Sequence, residues 1–333
     1  MDIAPLDLTD PAARAGFLDL YRAFMAADRP YAPRLDDEVY LRAISTVGSG
    51  RTIEHWIARD GDRVIGYYDM VLSHTENRTG IHTFGYVHPE LRRRGIGTAL
   101  LTHLRHRAAE LGRDRLETSA RIAVEGGEPV DPGPAAFMAR HGLDRVLVEE
   151  RRRLEVTPES ATEVPVPPQS ADYRLVSWVG AAPEALVDGL AELETVLHAD
   201  APSGDSAADA ARFDAARWRA EEEIAVRRGR TRFFTAARHR DTAEVVAYTM
   251  VWLPSKPRTH AVQGTTVVAR SHRGHRLGLA VKRRNLSHIA GLEPELRHID
   301  TYNADSNAHM IAVNDALGFV LCDAEADFET SLR

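Results

Sequence analysis

The 333-residue chain is predicted to be an α/β protein made of two copies of one plan. Three observations carry that prediction. A strand, an arginine- and glycine-rich loop and a helix follow one another around residue 90. The same unit recurs in the second half, and a proline-rich stretch lies between the copies. In the first unit, residues 82–87 are extended and are stopped by Pro89. Apolar residues then recur at Ile96, Leu100, Leu101, Leu104, Ala108 and Leu111, the spacing of one helix face. In the second, residues 263–268 precede His272-Arg273-Gly274-His275-Arg276-Leu277-Gly278. Arg92 and Arg273 are 273 − 92 = 181 residues apart, and Val64-Ile65-Gly66-Tyr67 matches Val245-Val246-Ala247-Tyr248 at the same offset. Two unrelated basic turns would not keep one register over such a span, so the chain is a duplication.

The elements follow in order. Asp10 as N-cap and Pro11 in the first turn open a helix carrying Phe17, Leu18, Leu20, Tyr21 and Phe24. Residues 28–50, with Pro30, Pro33 and the acidic Asp36, Asp37 and Glu38, read as loop. Residues 53–59 and 64–72 form a hairpin about Asp60-Gly61-Asp62. After the central unit, residues 116–122 read as strand, 135–140 as a short helix closed by Gly142, and 145–156 as two strand pieces. Residues 157–171 hold Pro158, Pro165, Pro167 and Pro168 and read as a semi-rigid linker, which sets domains at 1–156 and 172–333. In the second half, 173–178 is a strand, 183–197 a helix and 203–228 a polar, partly helical stretch. Residues 232–237 and 245–253 form a hairpin, 299–302 a strand, and 308–317 a helix ended by Gly318.

Composition narrows the function classes. Charged residues are 27% and hydrophobic ones 44% of the chain, the values of a soluble globular protein. A net charge of −7 gives a nucleic-acid partner no global support. One cysteine, Cys322, excludes an internal disulfide framework and fits a reducing compartment. No apolar run reaches membrane-spanning length and the N-terminus lacks a signal-peptide pattern, so a cytoplasmic location is expected. No metal-ligand spacing stands out.

Both loops place backbone N–H groups at a helix start, where an anion is stabilised. A Walker loop would need Gly-Lys-Ser/Thr, and Gly97 is followed by Thr98. A dinucleotide fingerprint would need a third glycine where Leu100 stands. What remains is Arg92-x-x-Gly95-x-Gly97. This resembles the acyl-CoA pyrophosphate loop of the GCN5-related N-acetyltransferase (GNAT) superfamily. The second half is similar to that superfamily over nearly its whole length, through Asn307, Asn314 and Leu317-Gly318-Phe319. The run Thr301-Tyr302-Asn303-Ala304-Asp305-Ser306-Asn307, the pair Gln263/Thr265 and the segment from Asp200 to Asp205 resemble the second halves of tandem bacterial acetyltransferases. Mycothiol synthase is such a tandem protein, and no stretch stands out as closely like it.

The resemblance implies two GNAT-like domains, each a mixed, mostly antiparallel sheet with a splayed parallel strand pair and flanking helices. It implies acetyl-CoA as co-substrate, lying between strands that end near Val268 and Tyr302, or near Val87 and Ser119. Residues expected at the co-substrate are Val87, Arg92, Arg93, Arg94, Gly95, Ile96, Gly97 and Thr98 in the first half. In the second they are Val268, Arg273, Gly274, His275, Arg276, Leu277, Gly278, Leu279, Asn303 and Asn307. A main-chain N–H of the central strand would polarise the thioester carbonyl. Two departures stand out. Arg276 replaces the first loop's Gly95, and the tyrosine that relatives place before Leu-Gly-Phe is Asn314, with Met138 in the first half.

Catalytic candidates are Asp200, Asp205 and Tyr302, with His198 nearby. The two aspartates equally suit turn chemistry around Pro202, Asn307 suits a helix cap, and His198 suits a helix end. The expected function is direct N-acetylation of a small amine in the second half. The alternatives are acetylation of a protein amine and acyl-CoA sensing without turnover. Asp200 and Asp205 would favour a cationic acceptor.

Overall fold

A computed structural model describes residues 1–48, 50–162, 167–200 and 211–332. The first half runs β1 (Asp2–Pro5), α1 (Pro11–Asp28), α2 (Asp37–Ser45), β2 (Arg51–Asp60), β3 (Arg63–Ser73), β4 (Gly80–His82), β5 (Gly85–Val87), α3 (Ile96–Glu110), β6 (Arg115–Ile122), α4 (Gly133–Arg140) and β7 (Asp144–Glu155). The second runs β8 (Tyr173–Val179), α5 (Val187–Asp200), α6 (Ala215–Arg227), β9 (Arg230–His239), β10 (Val245–Pro254), β11 (His260–Val268), α7 (Leu277–Leu292), β12 (His298–Ala304), α8 (Ala308–Asp315) and β13 (Val320–Ser331).

Residues 28–50 are not all loop, because α2 lies within them. Asp36 caps it by accepting from Glu38 N, and Asp37 and Glu38 sit in its first turn, where acidic groups oppose the helix dipole. The acidic cluster was a helix start. Residues 145–156 form one strand in place of two pieces, and the helical part of 203–228 is α6. The linker is tied down at both ends: Ser287 Oγ donates to Ala161 O at 3.0 Å and Ser170 Oγ to His275 O at 2.6 Å.

Among the described residues the strands form a single sheet of 13, in the order β1-β2-β3-β4-β6-β13-β7-β12-β11-β10-β9-β8, with β5 paired to β3. The last strand of each half is exchanged. β13 pairs with β6 of the first half, β7 pairs with β12 of the second, and β7 and β13 pair antiparallel at the centre. The cores are exchanged with the strands. Ala326 and Phe328 pack with Leu100, Leu104 and Leu116 of the first half, while Leu154 packs with Phe233, Ile289 and Phe319 of the second. Burying a side chain such as Phe328 contributes about 1.5–3 kcal/mol, so each half depends on the other's strand.

A buried ionic cluster holds the crossing. Arg151, 1% exposed, donates to Asp323 Oδ1 and Oδ2 at 2.7 and 2.8 Å and to Asp300 Oδ2 at 3.2 Å. Arg153 donates to both oxygens of Asp300 at 2.7 and 2.9 Å. The Tyr31 ring lies 4.0 Å from the Arg151 guanidinium and 4.3 Å from that of Arg121. Burial pushes the Asp300 carboxyl up, but its bonds from Arg153 and His260 outweigh burial and hold it well below the carboxylate range. Four strands, β6, β7, β12 and β13, thus meet on paired charges.

Candidate active site

Each half carries a parallel pair that opens. β4 pairs with β6 only from Gly80↔Arg115 to His82↔Glu117, and the chain then continues as β5, which turns to β3. β11 pairs with β12 from His260↔His298 to Gln263↔Thr301, and its remainder pairs with β10 alone. The N–H of Ala269 goes to Val246 O on β10. Alternate residues of a strand point their N–H groups to opposite edges, so Val268 faces the gap, where Arg273 Nε reaches its carbonyl at 3.4 Å. Val87 stands likewise, with His88 N on Ile65 O and Arg92 Nε on Val87 O.

The two loops use the same left-handed positions with their residue types exchanged. Arg93 has φ 63° and Gly95 φ 84°, whereas Gly274 has φ 88° and Arg276 φ 54°. Arg276 therefore keeps the turn despite its Cβ, at a cost of about 1–2 kcal/mol. Ile96 and Leu277 begin the helices and are buried, so they offer a ligand their amides and not their side chains. Arg93, Arg94, His275 and Arg276 are exposed. Above Gly97, a Cβ would meet the Phe137 ring of α4 at 3.3 Å, while above Gly278 it would meet only Val268 Cγ2 at 3.9 Å. Thr98 Oγ1 and His141 Nε2, 3.3 Å apart, close the first loop further against α4. The second loop is the more open.

Asp200 lies on the loop and not across the mouth from it. Its carboxylate accepts from Arg270 and from Arg273 Nη2, the latter at 2.5 Å, and the Arg270 bond is the main cause of a pKa lowered to about 2. Asp28 holds Arg92 in the same way in the first half. Asp205 lies outside the described residues. Tyr302 sits on the central strand beside the ionic cluster, near Glu325 and Arg29, and burial pushes its hydroxyl above the tyrosine range. Asp200 and Tyr302 are therefore not brought to one place. Asn307 caps α8 by accepting from Met310 N at 3.1 Å, and Asn303 Oδ1 accepts from Asn314 Nδ2. Lys282, 3% exposed, donates to Asn314 Oδ1 at 2.6 Å, and burial brings its ammonium down to about 7.

A group that sequence reasoning missed is Glu194. It lies on α5 at the wall of a cavity of about 220 Å³ formed by α5, α6, β9, β10 and β11. Phe213, Trp218, Phe234, Tyr248 and Trp252 supply aromatic walls, with Arg228, Arg230 and Arg232 among them. The Tyr248 hydroxyl donates to Glu194 Oε2. Thr265, on the part of β11 that has parted from β12, bonds the same carboxyl and also lines the cavity. Burial pushes Glu194 up to about 7. His198 Nε2 lies 3.7 Å from Glu194 Oε1, and the His198 ring stacks on Phe213 at 5.3 Å. A carboxyl that titrates near neutrality, set between a cavity and a strand gap, can take a proton there.

The first half differs at the matching place. Tyr67, the counterpart of Tyr248 at offset 181, is packed among rings. Phe17 lies 4.8 Å and Tyr86 5.2 Å from it. Tyr40 of α2 stacks on Tyr21 at 3.6 Å, and Phe24 stacks on Tyr86 at 4.3 Å. Aromatic rings fill the space that the second half keeps open.

Comparisons with known proteins agree with this geometry. A family model described as an acetyltransferase (GNAT) domain matches residues 51–142. A mycothiol acetyltransferase of Parafrankia sp. (strain EAN1pec) is 34% identical over 184 residues, 54% of this chain and 51% of its own. One from Geodermatophilus obscurus is 36% identical over 183 residues, 52% of this chain and 54% of its own. The chain thus spans about half the length of the curated relatives it matches. A solved tandem GNAT protein from the clavulanic acid biosynthesis pathway is 30% identical, with a TM-score of 0.86 over 100% of this chain and 98% of that one. With the duplicated loop, the two opened strand pairs and a relative matched from end to end, the chain belongs to the GCN5-related N-acetyltransferase superfamily.

Proposed function

We propose that the protein is an acetyl-CoA-dependent N-acetyltransferase acting on a small-molecule amine, with catalysis in the second half. The observation that carries this reading is Glu194, at the junction of an open cavity and the gap between β11 and β12. Acetyl-CoA would lay its pyrophosphate on the amides that begin α7. Its thioester oxygen would take the inward-facing N–H of Val268, a preorganised donor for the developing oxyanion. The acceptor enters as an ammonium, and Glu194 takes its proton. The neutral amine attacks the thioester carbon, the C–N bond forms, the C–S bond breaks, and the second proton of the attacking nitrogen passes to the leaving sulfur, so that the products are the amide and the CoA thiol. Lys282 lies behind Asn314, the residue in place of the family's tyrosine, and is a nearby source of a proton.

The cover that the first half gives to part of the cavity favours a small acceptor over a protein chain. A Cβ on Gly48 of the first half would sit 3.5 Å from Glu221 and 3.9 Å from Ile224, two lining residues. Arg228 Nε donates to Thr46 O at 2.9 Å. The first half therefore covers part of the second half's acceptor side.

Gly278→Glu tests the assignment of the halves. The space above Gly278 admits the side chain, and its charge would oppose pyrophosphate, weakening acetyl-CoA binding by roughly 1–3 kcal/mol. Release of free CoA thiol should fall about ten- to hundred-fold. Gly97→Glu, which pushes on Phe137, should leave turnover largely intact. Turnover lost only in Gly97→Glu would put catalysis in the first half.

A further inference from the structure

Three guanidiniums line the proposed acceptor cavity without an ion pair. Arg228 spends its Nε on the Thr46 carbonyl. Arg230 lies 4.1 Å from the centre of the Trp252 ring, and Arg232 lies 5.4 Å from that of Phe234. Among the described residues no carboxylate approaches any of the three within 4.0 Å. The acids of the lining are Glu221 and Glu194. Arginines elsewhere in the chain behave differently: Arg107, Arg219, Arg258 and Arg273 each meet a carboxylate.

Burial is the main cause that lowers all three, Arg230 to about 10. Glu221 raises Arg228, and Glu222, Glu221 and Glu194 raise Arg232, but burial outweighs them, while Arg230 has only the like charges of Arg228 and Arg232 beside it. Cations held without a directly bonded counter-ion in a partly desolvated wall cost stability unless something supplies the charge. Arg230 and Arg232 alternate on β9 and so present the same face, and Arg228, the C-cap of α6, lines the same cavity. Guanidinium groups match planar carboxylates and phosphoryl oxygens through paired N–H donors.

We propose that the acceptor is an amine that also carries an oxyanion, held by Arg228, Arg230 and Arg232 while its amine reaches Glu194. For a cationic acceptor of the kind the two aspartates suggested, Asp200 offers no cation site, since it is occupied by Arg270 and Arg273. The inference rests on the transferase reading of the same cavity and names its substrate class. Carboxylate and phosphoryl groups share the chemistry, and the assay separates them.

The test uses the full chain with acetyl-CoA and linear amines of two to five carbons. Each amine is supplied as the ω-carboxylate, the ω-phosphonate and the ω-carboxamide. An anionic form should exceed its carboxamide in kcat/KM by at least about 10-fold, through KM. Arg232→Gln and Arg230→Gln should collapse that ratio towards one. Both variants should melt no lower than wild type, because an unpaired buried cation has been removed. Glutarate and propylphosphonate, which lack an amine, should raise the melting temperature of wild type and raise it less in the variants. Acetylation with equal rates for anionic and carboxamide forms would overturn the inference and leave the transferase reading standing. Stabilisation by the anions that the arginine variants lose, with no amine acetylated, would keep the anion site and overturn the transferase reading.

Discussion

Glu194→Gln is expected to lower turnover by about 10²–10⁴-fold, the usual contribution of a positioned base, with acetyl-CoA affinity unchanged. The substitution keeps the shape and the bond from Tyr248 while removing the ability to take a proton. Glu194 is pushed up to about 7 by burial. The wild-type rate should therefore rise with pH and level off above about 7, and the variant's residual rate should lack that step. Stability supplies a control. The folded carboxyl holds its proton to about 7 and the unfolded one releases it near 4.5, so the native state binds more protons across that window. Wild-type stability then falls as pH rises from 4.5 through 7, by on the order of 3 kcal/mol. The variant should be spared this loss and melt higher at pH 8. A variant with normal turnover, or one that loses activity only because it unfolds, would remove Glu194 from the mechanism.

Arg151→Ala is expected to destabilise the whole protein by about 3–5 kcal/mol, the cost of leaving buried partners uncompensated. Asp323 and Asp300, 1% and 4% exposed, would lose the cation between them. Arg121 and Arg153 remain on one aspartate each, which places the effect at the lower end. The melting temperature should fall by roughly 5–10 °C. Replacing Arg121, Arg151, Arg153, Asp300 and Asp323 together by apolar residues should recover much of that loss, because the whole cluster of paired charges is then removed and none of its members is left buried alone. Urea unfolding of both variants measures the difference. An Arg151→Ala protein as stable as wild type would mean that the cluster contributes nothing net.

The two arginine- and glycine-rich loops at helix starts were legible because local chemistry dictates them. Glycine, arginine and a helix start are neighbours in sequence, and the offset of 181 repeated the signal. The splay was expected from the resemblance alone; residues 82–87 read as one extended segment, and the structure breaks it at Thr83-Phe84 into β4 and β5. Glu194 was not legible. It sits among Ala191, Glu192, Leu193 and Thr195 on an amphipathic helix, where one acid looks like any solvated one. It is chiefly the burial created when distant elements close around it that raises its pKa, against the opposing pull of Arg232 and the bond from Thr265. Asp200 failed the other way. Its segment's resemblance to tandem acetyltransferases suggested a catalytic role, and its partners, Arg270 and Arg273, are 70 and 73 residues away. The strand β7 looked broken because Glu149-Glu150-Arg151-Arg152-Arg153 interrupts its apolar pattern. Arg151 and Arg153 are paired with Asp323 of β13 and Asp300 of β12, and Arg152 with Asp315 of α8 and Glu150 of its own strand. β13 left no mark of its destination, because alternation fixes which faces a strand presents and not which strand it joins.

The crossed terminal strands have a temporal consequence. β13 begins 320 − 122 = 198 residues after β6 ends, so the first half gains this neighbouring strand only after most of the second half has been made. Until then β6 presents an unpaired edge, a template for wrong partners, and the first core lacks Ala326 and Phe328. A ribosome-bound chain must wait with that edge open, or cover it with its own β7 and later let it go. The arrangement is that of a strand-swapped dimer whose two subunits have become one chain. Its two halves, made as separate polypeptides of residues 1–162 and 167–333, should stay incompletely folded alone. Mixed together, they should each acquire protease resistance by trading their final strands.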